Sequence, residues 1–375
     1  MNKKFLALSA VALSALILNS CDKNGSGTKT PPPTPLSPTV VASVSGRITD
    51  ELGNPLAGAA VKAGEKSGVT DANGNFRLAD ATLARNGGVV TVTKDNYLLG
   101  KRTYIVDSAS ENFVSLQMIK KATPATFSAQ AGATLPLGGT ATIEFPANSI
   151  INAATGAAYT GTVSFIAQLI DVSSADFPKY IPGTLTGATT SGAIFGTLPY
   201  TMMYTSLTGS AGEQLQVKPE TPASMYFPFA SEAFPDLPAA FSMSQLNDST
   251  GMWQEAGVAI KDYASSKFIG KVTKFSYWEL HHKFTIVQYK ALVNMGNNSS
   301  DVVPFAYTTV TYTGEDVTNT YVSYADKTGK LRTYIPYATP ATLKVYTNTG
   351  TLLKEKTIGP LYSNPVVVDT LNIPH

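Results

Sequence analysis

Beyond the first twenty residues, apolar and polar positions alternate with a period of two, and no stretch sustains a helical period. Val44-Ser-Gly-Arg-Ile-Thr49 alternates and runs into the turn formers Asp50-Glu-Leu-Gly-Asn-Pro55. Leu56-Ala-Gly-Ala-Ala-Val61 opens a second strand. Around Asn73-Gly74 two short strands are predicted to form a hairpin, because Asn and Gly tolerate positive φ. With Val89-Val-Thr-Val-Thr93 and Phe113-Val-Ser-Leu-Gln-Met118, the spacing predicts an antiparallel sandwich over residues 43–121.

Lys120, Lys121 and Pro124 mark a boundary, and residues 122–283 read as a second β-rich domain. Its predicted strands lie in residues 132–145, 159–168, 215–217, 223–227, 242–247, 253–257 and 270–278. A third β-domain is expected over residues 284–375. There, Tyr324-Ala-Asp326-Lys-Thr-Gly329-Lys-Leu331-Arg332 repeats the frame of Val69-Thr-Asp71-Ala-Asn-Gly74-Asn-Phe76-Arg77. In both, a turn with Asp at one end and Gly near the middle feeds a strand that opens with an apolar residue and Arg, which predicts an internal repeat.

The start of the chain follows other rules. Lys3 and Lys4 precede an apolar run over residues 5–18, and Asn19, Ser20 and Cys21 follow. That order predicts a secretory signal peptide, residues 1–20, with cleavage just before Cys21. The run is shorter than the ~20 residues that span hydrocarbon. Residues 21–42, rich in Gly, Ser, Thr and Pro, carry little to bury and read as a semi-rigid spacer.

Composition narrows the function classes. Of 375 residues, 28 Lys and Arg stand against 26 Asp and Glu, a net charge of +2, so no field would steer nucleic acid. Charged residues make up only 14%, which suits β-structure with hydroxyl-rich faces. Cys21 is the single cysteine, so no internal disulfide is expected and the domains must hold by core burial.

Several stretches resemble known families. Residues 18–21, Leu-Asn-Ser-Cys, are similar to the bacterial lipoprotein signal, which implies acylation of Cys21, a membrane as partner through N-terminal lipid, and a cell-envelope location on the outer membrane. Gly46-Arg-Ile48, Gly53-Asn-Pro-Leu-Ala-Gly-Ala-Ala-Val61 and Thr70-Asp-Ala-Asn-Gly-Asn-Phe76 resemble the carboxypeptidase regulatory-like domain, a small non-catalytic sandwich of about seven strands. Phe145-Pro-Ala-Asn-Ser-Ile150, Tyr159-Thr-Gly-Thr-Val163, Pro182-Gly183, Trp253-Gln-Glu-Ala-Gly257 and Phe275-Ser-Tyr-Trp278 resemble an extracellular region of cartilage intermediate layer proteins and bacterial surface lipoproteins. The fold class expected is all-β: tandem antiparallel β-sandwich domains, immunoglobulin-like or prealbumin-like, behind the signal peptide and tether. Asp107-Ser108-Ala, Asp248-Ser249-Thr and Asp369-Thr370-Leu resemble bacterial O-glycosylation acceptors, which implies modification of Ser108, Ser249 and Thr370.

Candidate chemistry is sparse. Asp71, Asn73 and Asn75 invite a calcium loop, but the glycine spacing is wrong and a plain turn is expected. Trp253 and Trp278 could stack sugars; their setting among apolar strand residues favours core packing. His281 and His282 point to opposite strand faces and cannot share one metal ion, so a solvated or interdomain pair is expected. No nucleophile motif accompanies them, so no catalytic residue, cofactor or metal is expected. The function this supports is non-catalytic binding or scaffolding at the cell surface, with carbohydrate or another surface protein as ligand. A carboxylate-pair glycosidase drawn from Glu144, Asp171, Asp176 and Glu255, or a purely structural stalk, are the competing readings.

Overall fold

The computed structural model describes residues 38–189, 191–229, 237–296, 301–314, 317–347, 350–362 and 367–374. The signal segment, Cys21 and most of the tether lie outside them. The chain is all-β, and its sheets fall into three groups.

The first group comprises β1 (Thr39–Thr49), β2 (Ala60–Ala63), β3 (Lys66–Val69), β4 (Asn75–Ala84), β5 (Gly88–Thr93), β6 (Gly100–Tyr104) and β7 (Asn112–Gln117). Two sheets, ordered β4-β1-β7 and β3-β2-β5-β6, face each other. Every second residue of β5, β7 and the first half of β4 is buried, so Phe76, Leu78, Val90, Val92, Val114 and Leu116 interdigitate with Val44 and Ile48. One pair, β1 with β7, is parallel, where a fully antiparallel sandwich was expected.

The Asn73-Gly74 turn does not close a hairpin. β3 pairs with β2, and β4 pairs with β1, so the chain crosses here from one sheet to the other. The side chains explain it. Asp71 Oδ1 accepts the backbone N–H groups of Asn73 and Asn75 at 2.9 and 2.8 Å, which closes the turn locally. Thr70 then ties the turn back to the strand entry, accepting from the Ala59 N–H at 2.9 Å and donating to Leu56 O at 2.6 Å. Gly74 is required, since its φ is +73° and a Cβ would lie 2.3 Å from Ile48 O.

The middle group runs through β8 (Ala125–Ser128), β9 (Ala133–Gly138), β10 (Ala141–Phe145), β11 (Ile150–Asn152), β12 (Thr162–Ile170), the short helix α1 (Phe177–Tyr180), β13 (Thr186–Ala188), β14 (Ile194–Thr208), β15 (Leu215–Val217), β16 (Ala223–Pro228), β17 (Ala240–Leu246), β18 (Trp253–Asp262), β19 (Lys267–Val272) and β20 (Tyr277–Phe284). One large sheet, β8-β12-β14-β20-β17-β18-β19-β16-β10-β9, curls until its two ends touch, with β13 beside β14 and β18. Ile143, Phe165, Met203, Met225, Phe268 and Leu280 fill the roll.

The last group contains β21 (Ile286–Met295), β22 (Tyr307–Gly314), β23 (Val317–Tyr324), β24 (Lys330–Pro336), β25 (Ala341–Tyr346), β26 (Leu352–Ile358) and β27 (Val367–Ile373). Its sheets are ordered β24-β21-β27 and β23-β22-β25-β26, and β21 with β27 is its parallel pair, so the topology is that of the first group strand for strand. The repeated turn keeps the bonds made by its aspartate and its backbone, while Ala325 stands where Thr70 bonds through its hydroxyl. Asp326 Oδ1 accepts from the Thr328 and Lys330 N–H groups, as Asp71 does from Asn73 and Asn75. Val293 N–H donates to Gly329 O at 2.8 Å, as Ile48 N–H does to Gly74 O at the same distance.

The core of the last group is continuous with the outer face of the roll. Tyr289, Val310 and Leu343 belong to one buried cluster with Met202, Trp253 and Tyr277 of the middle group and Leu98 of the first. Along β20, Trp278 and Leu280 therefore point into the roll, while Tyr277, Glu279 and His281 point outward and are nonetheless buried.

Candidate functional site

The strand that organises the joint between the three groups is β6, Gly-Lys-Arg-Thr-Tyr, whose composition predicts exposure. Lys101, Arg102 and Thr103 are all buried. β6 is an edge strand of its sheet, and Gly183 from the middle group covers that edge. Thr103 N–H donates to Gly183 O at 3.0 Å, and Gly183 N–H donates to Lys101 O at 2.9 Å. A side chain at residue 183 would collide with Gly251 O at 2.4 Å, and one at residue 251 would meet Thr103 Oγ1 at 2.1 Å. The two glycines let three backbones meet.

Side chains complete the seam. Lys101 pairs with the Asp248 carboxylate, and Thr103 Oγ1 donates to Gly251 O at 2.7 Å. Tyr277 OH donates to Leu99 O at 2.7 Å. Against the last group, Arg332 donates to Asp107 Oδ2 at 2.6 Å, the Lys327 N–H donates to Glu111 O at 2.9 Å, and Phe113 packs on Phe305 and Tyr324 with ring centres 5.2 and 5.6 Å apart. Asn112 stiffens the receiving loop, accepting from the Asp107 N–H at 2.8 Å and donating to Asp107 O at 2.9 Å. Arg77, at the repeat position matching Arg332, holds the same loop from the other side through Glu111 at 2.9 Å.

Where the three groups meet lies a cavity of about 40 Å³, lined by Arg102, Tyr104, Asp107, Thr186, Tyr324 and Asp326 among others. Burial, with the negative Asp107 nearby, raises the Asp326 carboxyl from its ordinary value.

A second buried polar cluster sits between the roll and the last group. His281 Nδ1 lies 3.2 Å from Glu279 Oε1 without the alignment of a hydrogen bond, and Thr197 Oγ1 donates to Glu279 Oε2 at 3.4 Å. Burial pushes Glu279 well above its ordinary value and His281 down to about 3, a depression to which Lys283 and His282 add. His282, on the opposite face, is exposed. The histidines thus do diverge, and one is an interface residue.

The other predicted residues take structural places. Both tryptophans are buried: Trp253 Nε1 donates to Thr184 O at 2.7 Å and Trp278 Nε1 to Lys274 O at 3.1 Å, which rules out an open sugar-stacking platform. Asp71 spends its Oδ1 on backbone N–H groups, as a turn and not a calcium loop. Glu144 accepts from Tyr226 OH at 2.7 Å, Asp171 from Ser173 Oγ at 2.7 Å, and Asp176 and Glu255 pair with Lys179 and Lys283 at 2.7 and 2.5 Å. Among the described residues no group of three or more His, Cys, Asp or Glu could hold a metal ion. Ser108, Ser249 and Thr370 are all exposed, and each follows an aspartate fixed by a cation: Arg332 on Asp107, Lys101 on Asp248 and Lys356 on Asp369.

An open groove of about 640 Å³ lies at the mouth of the roll. Gln245 sits opposite both Gln254 and Trp278 in register, so the groove lies where the roll's core ends. Asn247, Glu255, Lys271 and Lys274 also line it. Sequence reasoning found neither this groove nor β6, because both arise from residues far apart in the chain.

The geometry thus defines a multi-group β protein with a polar joint and a groove. No family profile and no curated protein matches the chain. Among solved structures it is similar to the TIE protein of Bacillus anthracis (10% identity, TM-score 0.20, 90% of this chain), of whose length it spans about half, 51%. It is also similar to the major pilin subunit of Bacillus cereus (12% identity, TM-score 0.17, 89% of this chain and 99% of that one). A third neighbour is a putative membrane-associated protein of unknown function from Bacteroides fragilis (9% identity, TM-score 0.18, 66% of this chain and 100% of that one). Scores this low carry no inference from those proteins to this one.

Proposed function

We propose that this is a non-catalytic cell-envelope protein, anchored by lipid on Cys21, whose three β-groups act as one rigid scaffold that presents the groove at the mouth of the roll. The observation that carries the reading is the joint: buried Lys101, Arg102 and Thr103 and the Arg332–Asp107 pair bond the groups to one another through side chains that a free-standing module would expose. Such a joint suits a body that holds a fixed shape away from the lipid, with the Pro-rich tether as spacer. The groove's volume falls in the range of ligand sites, and its amides and lysines suit a polar polymer such as a polysaccharide or an extended surface-protein segment. Ser108, Ser249 and Thr370 are its O-glycosylation sites, on the outside of the scaffold.

The test has two arms. Cys21→Ala is expected to abolish lipid labelling and release the protein from membranes; continued membrane association overturns the anchor. A glycan and surface-protein array probed with the mature protein is expected to give hits that Gln254→Ala and Lys274→Ala remove. Turnover of a glycan substrate that Glu255→Gln abolishes would instead make the protein an enzyme.

A further inference from the structure

Arg102 is 3% exposed, and its guanidinium bonds only backbone carbonyls, from Nε to Ser115 at 3.3 Å and from one terminal nitrogen to Pro178 at 3.3 Å and Lys179 at 2.8 Å. No carboxylate among the described residues pairs with it. A buried cation without a counter-charge is costly, so the site is electrostatically incomplete. Arg102 lines the 40 Å³ cavity together with Tyr104, two residues along β6 and hence on the same side of the strand. Further oxygens on residues that line the cavity are buried without a partner, among them Tyr104 OH, Thr186 Oγ1 and Asp326 Oδ2, of which Thr186 is 1% and Asp326 4% exposed. The two hydroxyls each carry a proton to donate. Asp326, raised by burial and by Asp107, holds its proton more readily than an exposed aspartate and adds a third donor when protonated.

The charges facing the cavity are Arg102, Lys330 and Arg332 against Asp107 and Asp326, and Arg332 is already spent on Asp107. Lys330 is exposed to solvent, so what is left inside is the Arg102 guanidinium facing Asp326, with unpaired O–H donors around it. At 10–15 Å³ per water-sized sphere, the space holds roughly three such spheres. A sugar or a nucleotide is far too large.

We propose that the joint is a binding site for a small inorganic anion of chloride size, held by the Arg102 guanidinium and the hydroxyls of Tyr104 and Thr186. The three lining elements come from the three sheet groups: Arg102 and Tyr104 from the first, Thr186 from the middle and Asp326 from the last. The anion therefore binds only when all three are docked, and its binding stabilises that docked state by mass action. The inference rests on the joint and is independent of the anchor and of the groove.

Thermal unfolding of the purified full chain in sodium chloride is compared with sodium gluconate at equal ionic strength and pH 7.5. Chloride is expected to raise the melting temperature saturably, by about 2 °C at tenfold excess over its dissociation constant. Tyr104→Phe and Thr186→Val, which keep shape, are expected to shrink that increment, and Arg102→Met to remove it. If Arg102→Met fails to fold, the two conservative variants carry the test. Bromide-soaked crystals are expected to show an anomalous peak beside Arg102. Identical melting in the two salts, an increment the variants leave untouched, or bromide peaks only elsewhere would mean that the cavity holds water alone, and would overturn the proposal.

Discussion

Glu279 and His281 are two ionisable groups deprived of water by the docking of the last group, and their titration reports on it. An unfolded chain protonates His281 near pH 6.5, whereas the folded protein resists until about 3. Between those values the unfolded state binds the extra proton, so stability is whole above pH 6.5 and falls as pH drops through the window, at ~1.4 kcal/mol per unit. Glu279 works in the opposite sense: its raised value makes its contribution full below 4.5 and lost as pH rises. Urea midpoints of His281→Gln are thus expected to decline less between pH 6.5 and 4 than those of the wild type; parallel declines would place the acid sensitivity elsewhere. The repeat offers a second test at this scale. Arg77 is 58% exposed, and its loss should cost under ~1 kcal/mol. Arg332 is 20% exposed and serves an Asp107 only 7% exposed, so Arg332→Ala strands a buried carboxylate and should cost roughly 3 kcal/mol. Equal destabilisation of the two variants in urea would contradict the buried-pair account.

At the scale of elements, β6 depends on two glycines. Gly183→Ala combines a φ of +71° with a Cβ 2.4 Å from Gly251 O, and neither backbone can yield without opening the seam. The variant is expected to lose roughly 2 kcal/mol or more, with the Thr103 amide, bonded to Gly183 O, exchanging its hydrogen far faster. A Thr103 amide that stays protected would show that the edge is covered by something else. The same strand shows where reading the sequence stops. The alternation of β1, β5, β7 and β16 is local and was legible, as was the Asp-x-x-Gly turn that later proved to be a repeated crossover. β6 reads as a polar loop because what buries it comes from Gly183, Asp248 and Gly251, some 80 to 150 positions away. β14, the longest strand, was missed because Gly196 and Pro199 break its pattern, and the structure absorbs Pro199 in a bulge against β20. Pro182-Gly183 was visible as a motif, but its role needed the partner strand.

For the whole molecule, the consequence is cooperativity. Three modules joined by flexible linkers would melt separately, each with its own core. Here the core of the last group runs without a break into the outer face of the roll and reaches Leu98 of the first, and Arg332, Lys101 and Gly183 bond across both seams. Removing any one group would expose Met202, Trp253 and Tyr277, or the buried polar strand β6, so partial unfolding costs apolar area and leaves buried polar atoms unpaired at once. Scanning calorimetry of the mature protein is therefore expected to give a single transition whose van't Hoff and calorimetric enthalpies agree. Arg332→Ala should detach the last group first and split that transition in two. Separate transitions already in the wild type would mean that the seams are weaker than their burial implies, and that the protein bends at its joint instead of holding one shape.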